Sequence, residues 1–467
     1  MDMPFVSSVD TGWSTNEFAD VDLGDRRLNK RLHGLLEDFG AQPAAPINQA
    51  CRDGNAVKAA YAFFANPDAH AADILLPHQA CTLERMAAHP LVLAVQDTCF
   101  LNYTAHPATA GMGPIGGGQR GLVMHSTLAF TPQGLPLGVL DQRIWARPDV
   151  DPAAPKPKQR PIGEKESVKW LDALRETVSM TPSEIRLITI ADRESDIFEF
   201  LTEAAELDSE YVIRAEHNRE VTGELTRLWP YMATRPRAGT VMVTLAARPG
   251  HPKRTAILTV RMSQGTLDPP VRPATDPGIW MVPLTVWAIW LHEETPPADV
   301  TPVDWMLLTN VPVLTWQDAL ERIGWYCVRP EIESWHKVLK SGCTIEACRL
   351  ESVDRLIPYL TLMGVIAWRL FWLTYIGRHD PDAPCTLILA EHEWKALYLY
   401  IHHTTHLPDT IPTVRQAIHW IGRLGGFLDR KGDGEPGITA IWRGWSRLAD
   451  MANMYLILPP PENTGNS

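Results

Sequence analysis

The chain has 467 residues, of which 45% are hydrophobic and 21% charged, which excludes a disordered chain and allows two to four domains. Its formal net charge of −12 excludes a protein coated with positive charge, so any DNA-binding surface would have to be local. No stretch of eighteen or more apolar residues lacks charge, and residues 1–10 show no signal-peptide pattern, so we expect no contact with membranes.

A basic segment at residues 23–32 coincides with a predicted helix. Asp25 can cap this helix, whose apolar face carries leucines at helical spacing, at positions 28, 32, 35 and 36. Four basic residues lie outside this stripe: Arg26, Arg27, Lys30 and Arg31. An ordinary solvated helix has the same pattern, so the segment alone does not establish DNA binding. Residues 1–70 are predicted to form a small helical domain.

Strand and helix patterns alternate in the next part of the chain, which we interpret as a catalytic domain over residues 71–370. Apolar or alternating runs predict five strands, over residues 91–96, 121–130, 138–145, 185–191 and 211–215. Helical spacing predicts helices over residues 167–178, with Ser167 as a cap, and 195–207. The order β-β-β-α-β-α-β is typical of the ribonuclease-H-like α/β fold, a mixed sheet with helices on both faces.

The pattern changes between about residues 216 and 312, where β-like segments are joined by Pro-rich loops. These segments predict a β insertion in the α/β domain and cover residues 241–246, 256–262, 280–290 and 305–309. Helical periodicity returns at Trp316, and residues 371–458 are predicted to form a C-terminal helical domain. Residues 459–467 are polar and Pro-rich, and we expect them to be a disordered tail.

Two aspartates follow predicted strands directly. Asp97 comes after the strand at residues 91–96, and Asp192 after the strand at 185–191. The ends of strands in α/β sheets are open to solvent and commonly carry functional groups. A single aspartate there is more often a turn former or a helix cap, but two on neighbouring strands favour a functional site.

A third carboxylate, Glu333, lies on a predicted helix with Lys337 and Lys340 on the same face. An ordinary Glu–Lys pair on a solvated helix is the alternative interpretation. Three carboxylates suit magnesium, which prefers a few carboxylate oxygens and keeps its waters and substrate phosphates. Two Mg²⁺ ions, or Mn²⁺ as a substitute, could then support an in-line phosphoryl displacement.

Four motifs carry a resemblance to a known family. In chain order they are Leu23-Gly-Asp-Arg-Arg27, Gln96-Asp-Thr98, Asp192-Arg-Glu-Ser-Asp196, and the set Tyr326, Arg329, Glu333 and Lys340. The last set, separated by two, three and six residues, is the most specific. The chain resembles the bacterial cut-and-paste transposases of the DDE class, in the insertion-sequence-four group typified by the transposon-five transposase. The resemblance covers nearly the whole chain.

The resemblance implies a reaction and a role for each matching residue. A freed 3′ hydroxyl at the transposon end would attack the opposite strand to form a hairpin, which water reopens before joining to target DNA. Asp97, Asp192 and Glu333 would hold the ions. The implied DNA contacts are Arg214 near the cleaved strand and, on end-DNA phosphates, Tyr326, Arg329, Lys337 and Lys340. Trp305 matches a tryptophan that stacks on a flipped base, although packing in a strand core explains it equally well.

The implied partners are double-stranded DNA, as transposon ends and target, and a second copy of the chain in a DNA-bound homodimer. Residues 371–458 would supply the dimerisation domain. The sequence departs from the family pattern at Pro330, where a tryptophan is expected, and at Ser334, where a second glutamate is common. Seven scattered cysteines suit free thiols in a bacterial cytoplasm, where the DNA-bound protein would associate with the nucleoid.

Two other functions are compatible with the sequence. One is a DNA-binding inhibitor of transposition that pairs with active copies without cutting, against which the three intact carboxylates argue. The other is a structure-selective nuclease that never joins strands. Such a nuclease would need neither the end-binding segment nor the dimerisation segment.

Overall fold

The computed structural model describes residues 12–149, 160–223, 226–245, 254–270 and 281–458. The helices in these ranges are α1 (Trp13–Glu17), α2 (Arg26–Ala41), α3 (Ile47–Ala50), α4 (Gly54–Phe64), α5 (Ala71–Ala87), α6 (Val168–Met180), α7 (Phe198–Glu206), α8 (Leu228–Ala233), α9 (Trp316–Tyr326), α10 (Glu331–Lys337), α11 (Val353–His379), α12 (Glu391–His402), α13 (Val414–Leu424) and α14 (Ile438–Ile457). The strands are β1 (Leu91–Asn102), β2 (Gly113–Gly116), β3 (Gln119–Phe130), β4 (Pro136–Trp145), β5 (Arg186–Ala191), β6 (Glu210–Arg214), β7 (Glu220–Val221), β8 (Thr226–Arg227), β9 (Arg237–Leu245), β10 (Arg254–Leu267), β11 (Leu284–His292) and β12 (Asp304–Thr309). The predicted tail, residues 459–467, lies outside the described residues.

The N-terminal helices form a small bundle around the predicted basic helix. Helix α2 begins where the sequence indicates, because the Asp25 side chain accepts a hydrogen bond of 2.7 Å from the Arg27 backbone N–H. All four leucines of its apolar face are buried. The cap and the apolar face of this helix are therefore confirmed.

The strands form one mixed sheet, in which β4, β3, β1, β5 and β6 are neighbours in that order. Strand β3 is antiparallel to β1 and β4, whereas β1, β5 and β6 run parallel to one another. The predicted strands and helices appear in the predicted order, with one short strand, β2, that was not predicted between β1 and β3. Helix α6 begins at Val168, but the Ser167 side chain makes no capping hydrogen bond, so its predicted capping role is wrong.

Strand β1 is longer than predicted, which changes the setting of Asp97. Its parallel pairing with β5 stops at Val95, but its antiparallel pairing with the long strand β3 continues to Asn102. Asp97 therefore lies in the middle of β1 rather than at its end. It still comes just beyond the last residue that pairs with β5, where the β1–β5 edge opens.

The β-rich segment after β6 extends the same sheet. Strand β12 pairs antiparallel with β6 and β11, and β10 continues the sheet to β9 and β7. Four of these strands lie where β-like segments were predicted, although β10 is longer than expected. Residues 246 and 280, at the ends of two predicted segments, lie outside the described residues. Because β12 hydrogen-bonds to β6, the insertion is continuous with the sheet that carries the candidate site.

Helix α11 is the longest described helix and lies in the core. It is long and apolar enough to cross a membrane, but 89% of its most apolar window is buried within the protein, as in core helices. The predicted start of the C-terminal domain, residue 371, falls inside this continuous helix.

Candidate active site

Three structural elements bring the predicted carboxylates together. Asp97 lies in β1, Asp192 directly follows the neighbouring parallel strand β5, and Glu333 is in the first turn of α10. Helix α10 follows Pro330, and its residues Ile332 and Trp335 are fully buried. This packing holds the Glu333 turn over the edge of β1.

The guanidinium group of Arg329 lies at the centre of the three carboxylates. Its Nη2 donates hydrogen bonds to Asp97 Oδ1 at 2.7 Å and to Asp192 Oδ2 at 3.0 Å, and its Nη1 donates to Glu333 Oε1. The Arg329 side chain is only 12% exposed, and that of Asp97 11%. Three acidic residues that are far apart in sequence thus converge on one buried cation.

Burial and charge act in opposite directions on these groups. Burial raises the pKa of Asp97 to about 7, Arg329 lowers it, and the nearby Asp192 carboxylate raises it. Burial lowers the pKa of Arg329, but the carboxylates prevail and raise it above the usual value, so the guanidinium stays charged. The site is therefore an acidic cluster arranged around one charged guanidinium group.

The three carboxylates have the oxygen ligands that magnesium prefers, but in this structure their oxygens accept hydrogen bonds from the Arg329 guanidinium. Among the described residues, no three His, Cys, Asp or Glu side chains are arranged to hold a metal ion directly. At the carboxylate cluster the reason is visible, since Nη2 of Arg329 lies between the oxygens of Asp97 and Asp192. All three acidic side chains offer oxygen ligands, which hard divalent cations prefer, and they already surround a positive charge.

His336 is part of this site and was missed by the sequence reasoning. Its Nδ1 lies 3.6 Å from Asp97 Oδ2, and its Nε2 is buried without a hydrogen-bond partner among the described residues. Burial, with help from Arg329 and Lys340, lowers its pKa to about 3, so the ring is neutral. The available signal was its spacing, three residues after Glu333 and one helical turn away.

The two predicted phosphate-binding lysines have different environments. Lys337 is exposed at the end of α10. Lys340 lies beyond it in a π-helical turn, Val338–Gly342, which interrupts the predicted regular spacing. Its Nζ donates to the Phe100 carbonyl at 2.8 Å and lies 3.2 Å from Glu346 Oε1. Lys340 is therefore held against β1 rather than projecting with Lys337.

The predicted base-stacking tryptophan packs beside the site. The rings of Trp305 and Tyr326 meet edge to face, with centroids 5.7 Å apart, and Trp305 stays partly exposed whereas Tyr326 is buried. Burial raises the pKa of Tyr326 to about 12. Arg214 donates to the Asp304 carbonyl at 3.0 Å, next to Trp305 in β12. Trp305 thus combines packing against the core with an accessible surface.

The predicted end-binding residues lie on an exposed face. The side chains of Arg26, Arg27, Lys30 and Arg31 are all exposed on α2. None of them forms an ion pair with another residue in the described ranges. This leaves a compact basic face that is distant in sequence from the acidic cluster.

Two family comparisons match opposite ends of the chain. The family described as "Transposase DNA-binding" matches residues 10–69, which include α2 and its basic face. The family described as "Transposase Tn5 dimerisation domain" matches residues 365–455, from within α11 to near the end of α14. The α/β sheet and the acidic cluster lie between the two matches. A match to a transposase DNA-binding family followed by a match to a Tn5 dimerisation domain supports a Tn5-like transposase.

Proposed function

We propose that this chain is an active DDE transposase of the insertion-sequence-four group, which cuts its element from DNA and joins it to a target. The observation that carries the proposal is the convergence of Asp97, Asp192 and Glu333 on one cation. A protein that only binds DNA has no need for three carboxylates gathered beside a basic side chain. A phosphoryl transferase needs such a site for its metal ions.

The arrangement of strands supports a ribonuclease-H-like catalytic core. Strand β3 lies antiparallel to β1 on one side, with β4 antiparallel to β3 beyond it, and the parallel strands β5 and β6 follow on the other side of β1. In this core the first two acidic residues come from adjacent strands, β1 and β5. The third comes from a helix that packs against β1, which is the role that we assign to α10.

Magnesium ions bound by Asp97, Asp192 and Glu333 would activate the attacking oxygen and stabilise the leaving oxygen. The protein's own part is to bind and orient the DNA. Arg329 and Lys337 provide positive charge beside the carboxylates, where the phosphate of the cleaved strand would lie.

Trp305 provides the surface for a base that leaves the helical stack during hairpin formation. Its edge-to-face contact with Tyr326 fixes the ring while leaving part of it exposed. Arg214, beside it, would contact the same strand. The exposed basic face of α2 would bind the transposon end, and the matched C-terminal domain would join two chains so that both ends are cut in one complex.

Cleavage of a plasmid that carries the element's own ends tests this proposal. Purified protein with Mg²⁺ is expected to release a linear fragment with hairpin ends, and chelation of the metal should abolish release. Asp97→Asn, Asp192→Asn and Glu333→Gln should each bind end DNA but fail to cut it. Asp172→Asn is the control, because Asp172 pairs with Arg143 and Arg175, away from the cluster.

The outcome also distinguishes the alternative functions. End DNA that is bound but never cut by the unaltered protein would support a DNA-binding inhibitor. Cutting without transfer to a second DNA molecule would support a nuclease. Full cleavage by any of the three acidic-site variants would remove that residue from the mechanism.

A further inference from the structure

We infer that Arg329 is the resident counter-ion of the carboxylate cluster, and that divalent metal ions must displace it to bind. The phosphate backbone of DNA is the partner that Arg329 takes in exchange. The inference rests on the proposed function, but it concerns a property that catalysis alone does not require. It makes Arg329 a link between the binding of DNA and the binding of metal.

Arg329 supplies the positive charge that reduces the repulsion among the three carboxylates. Asp97 is nearly buried, and two other carboxylates lie around the same guanidinium. Without a cation, these like charges would repel one another in a site of low dielectric. The single positive charge of Arg329 therefore offsets part of the negative charge of all three carboxylates in the metal-free protein.

The guanidinium and a metal ion cannot occupy the cluster together. Nη2 lies 2.7 Å from Asp97 Oδ1 and 3.0 Å from Asp192 Oδ2, in the space between the two carboxylates. A magnesium ion would need oxygen atoms about 2.1 Å from its centre, in the same space. Binding of the metal thus requires Arg329 to move, and Arg329 lowers the metal affinity of the DNA-free protein.

Arg329 also keeps an unused hydrogen-bond donor. Its Nε is buried and has no hydrogen-bond partner among the described residues. An arginine that served only as a permanent ion pair would be expected to use this donor as well. A phosphate offers several acceptor oxygens to the planar fork of donors. The unsatisfied Nε therefore favours a second position for the side chain, in contact with DNA.

This competition makes DNA and metal binding cooperative. A phosphate that draws Arg329 away vacates the carboxylates, and a metal ion that displaces Arg329 releases it to a phosphate. By linkage, each ligand then raises the affinity of the other by the same factor, typically five- to 150-fold. The cluster would consequently remain protected by its own arginine until DNA is present.

Binding of Mn²⁺ to the DNA-free full-length protein tests the inference, with free Mn²⁺ measured by electron paramagnetic resonance. Arg329→Gln should bind Mn²⁺ about tenfold more tightly than the unaltered protein. Arg329→Lys, which retains the charge, should resemble the unaltered protein. Arg349→Gln, at an exposed arginine outside the cluster, is the matched control and should have no effect. Asp97→Asn should weaken binding.

The results separate this inference from the proposed function. Weak binding by Asp97→Asn with no tightening by Arg329→Gln would overturn the inference but keep the metal site. Equal binding by Asp97→Asn and the unaltered protein would overturn both. A measurement on the unaltered protein alone gives a second test, since a duplex with the element's end should tighten Mn²⁺ binding about tenfold. An unchanged Mn²⁺ affinity with that duplex would also overturn the inference.

Discussion

Glu17 and Arg85 form a bidentate ion pair, in which both carboxylate oxygens accept hydrogen bonds of 2.9 Å from the guanidinium. Glu17 also accepts a bond of 2.5 Å from His78 Nδ1, while His78 Nε2 accepts one from the Val139 N–H. The imidazole is therefore neutral, in agreement with the lowered pKa that its burial causes. This network joins α1, in the matched DNA-binding segment, to the central sheet.

Loss of the Glu17 charge should destabilise the protein in a pH-dependent way. Burial raises the pKa of Glu17, but the opposing effect of Arg85 and His78 is larger. The pKa therefore falls from the ordinary value of 4.5 to about 2. The stabilisation is thus present above about pH 4.5 and is lost as the pH falls toward 2. We expect Glu17→Gln to lower the free energy of unfolding by about 3 kcal/mol at pH 7.

Urea denaturation of both proteins at several pH values measures this difference, which should shrink below pH 4.5. Glu37→Gln is the control, because Glu37 forms an exposed ion pair with Arg52 and should change stability by less than about 1 kcal/mol. A Glu17→Gln effect that stays constant down to pH 3 would show that the charge is not responsible.

Substitution of His336 should weaken metal binding through Asp97. The imidazole Nδ1 lies 3.6 Å from Asp97 Oδ2 and limits the positions that this carboxylate can take. Removal of a group that orients a metal ligand typically costs 10- to 100-fold in affinity. We expect His336→Ala to lose about tenfold in Mn²⁺ affinity and His336→Asn to recover part of it. His379→Asn, at the end of α11, is the control, and an equal loss in both asparagine variants would contradict the prediction.

Trp305 should be required for the hairpin step more than for the first cut. Stacking of a base on an aromatic side chain is worth about 1–3 kcal/mol. Trp305→Ala should therefore reduce hairpin formation about tenfold or more while the initial nick persists, and Trp305→Phe should retain most of the activity. Denaturing gels of end-labelled DNA separate the two products. Equal loss of nicking and hairpin formation in Trp305→Ala would indicate a packing role.

The basic face of α2 should contribute to end binding through phosphates. Arg27→Gln or Lys30→Gln should weaken binding of end DNA and reduce the slope of log affinity against log salt by about 1 each. Titrations at several salt concentrations measure that slope. Arg378→Gln, at the C-terminal end of α11, should leave it unchanged. An unchanged slope in both α2 variants would exclude this face as the DNA contact.

Local patterns predicted most of the elements, because strands and helices here have clear hydrophobic periods. The position of Asp192 followed from the end of the apolar run in β5, and that of Glu333 from helical spacing in α10. The sequence could not show that β1 continues past Asp97, since its length depends on pairing with β3, which begins seventeen residues after β1 ends.

The orientation of the side chains in the site also could not be predicted from the sequence. The family resemblance assigned Arg329 to DNA phosphates, whereas the structure turns it toward Asp97 and Asp192, which are distant in sequence, and toward Glu333 one helical turn away. His336 was overlooked because only the packing of α10 on β1 brings it near Asp97. In both cases the deciding contact is the one with Asp97, which joins segments that are far apart in the sequence.

Helix α11 has a mechanical consequence for an assembled pair of chains. It is a continuous rod of 27 residues, about 40 Å long, that begins in the predicted catalytic region and ends within the dimerisation match. Near its middle, the Gly364 carbonyl accepts a hydrogen bond from Trp335 of α10, the helix that bears Glu333. The way in which two copies dock would thus set the distance between their two acidic clusters. The length of α11 would then determine how far apart the paired DNA ends are held.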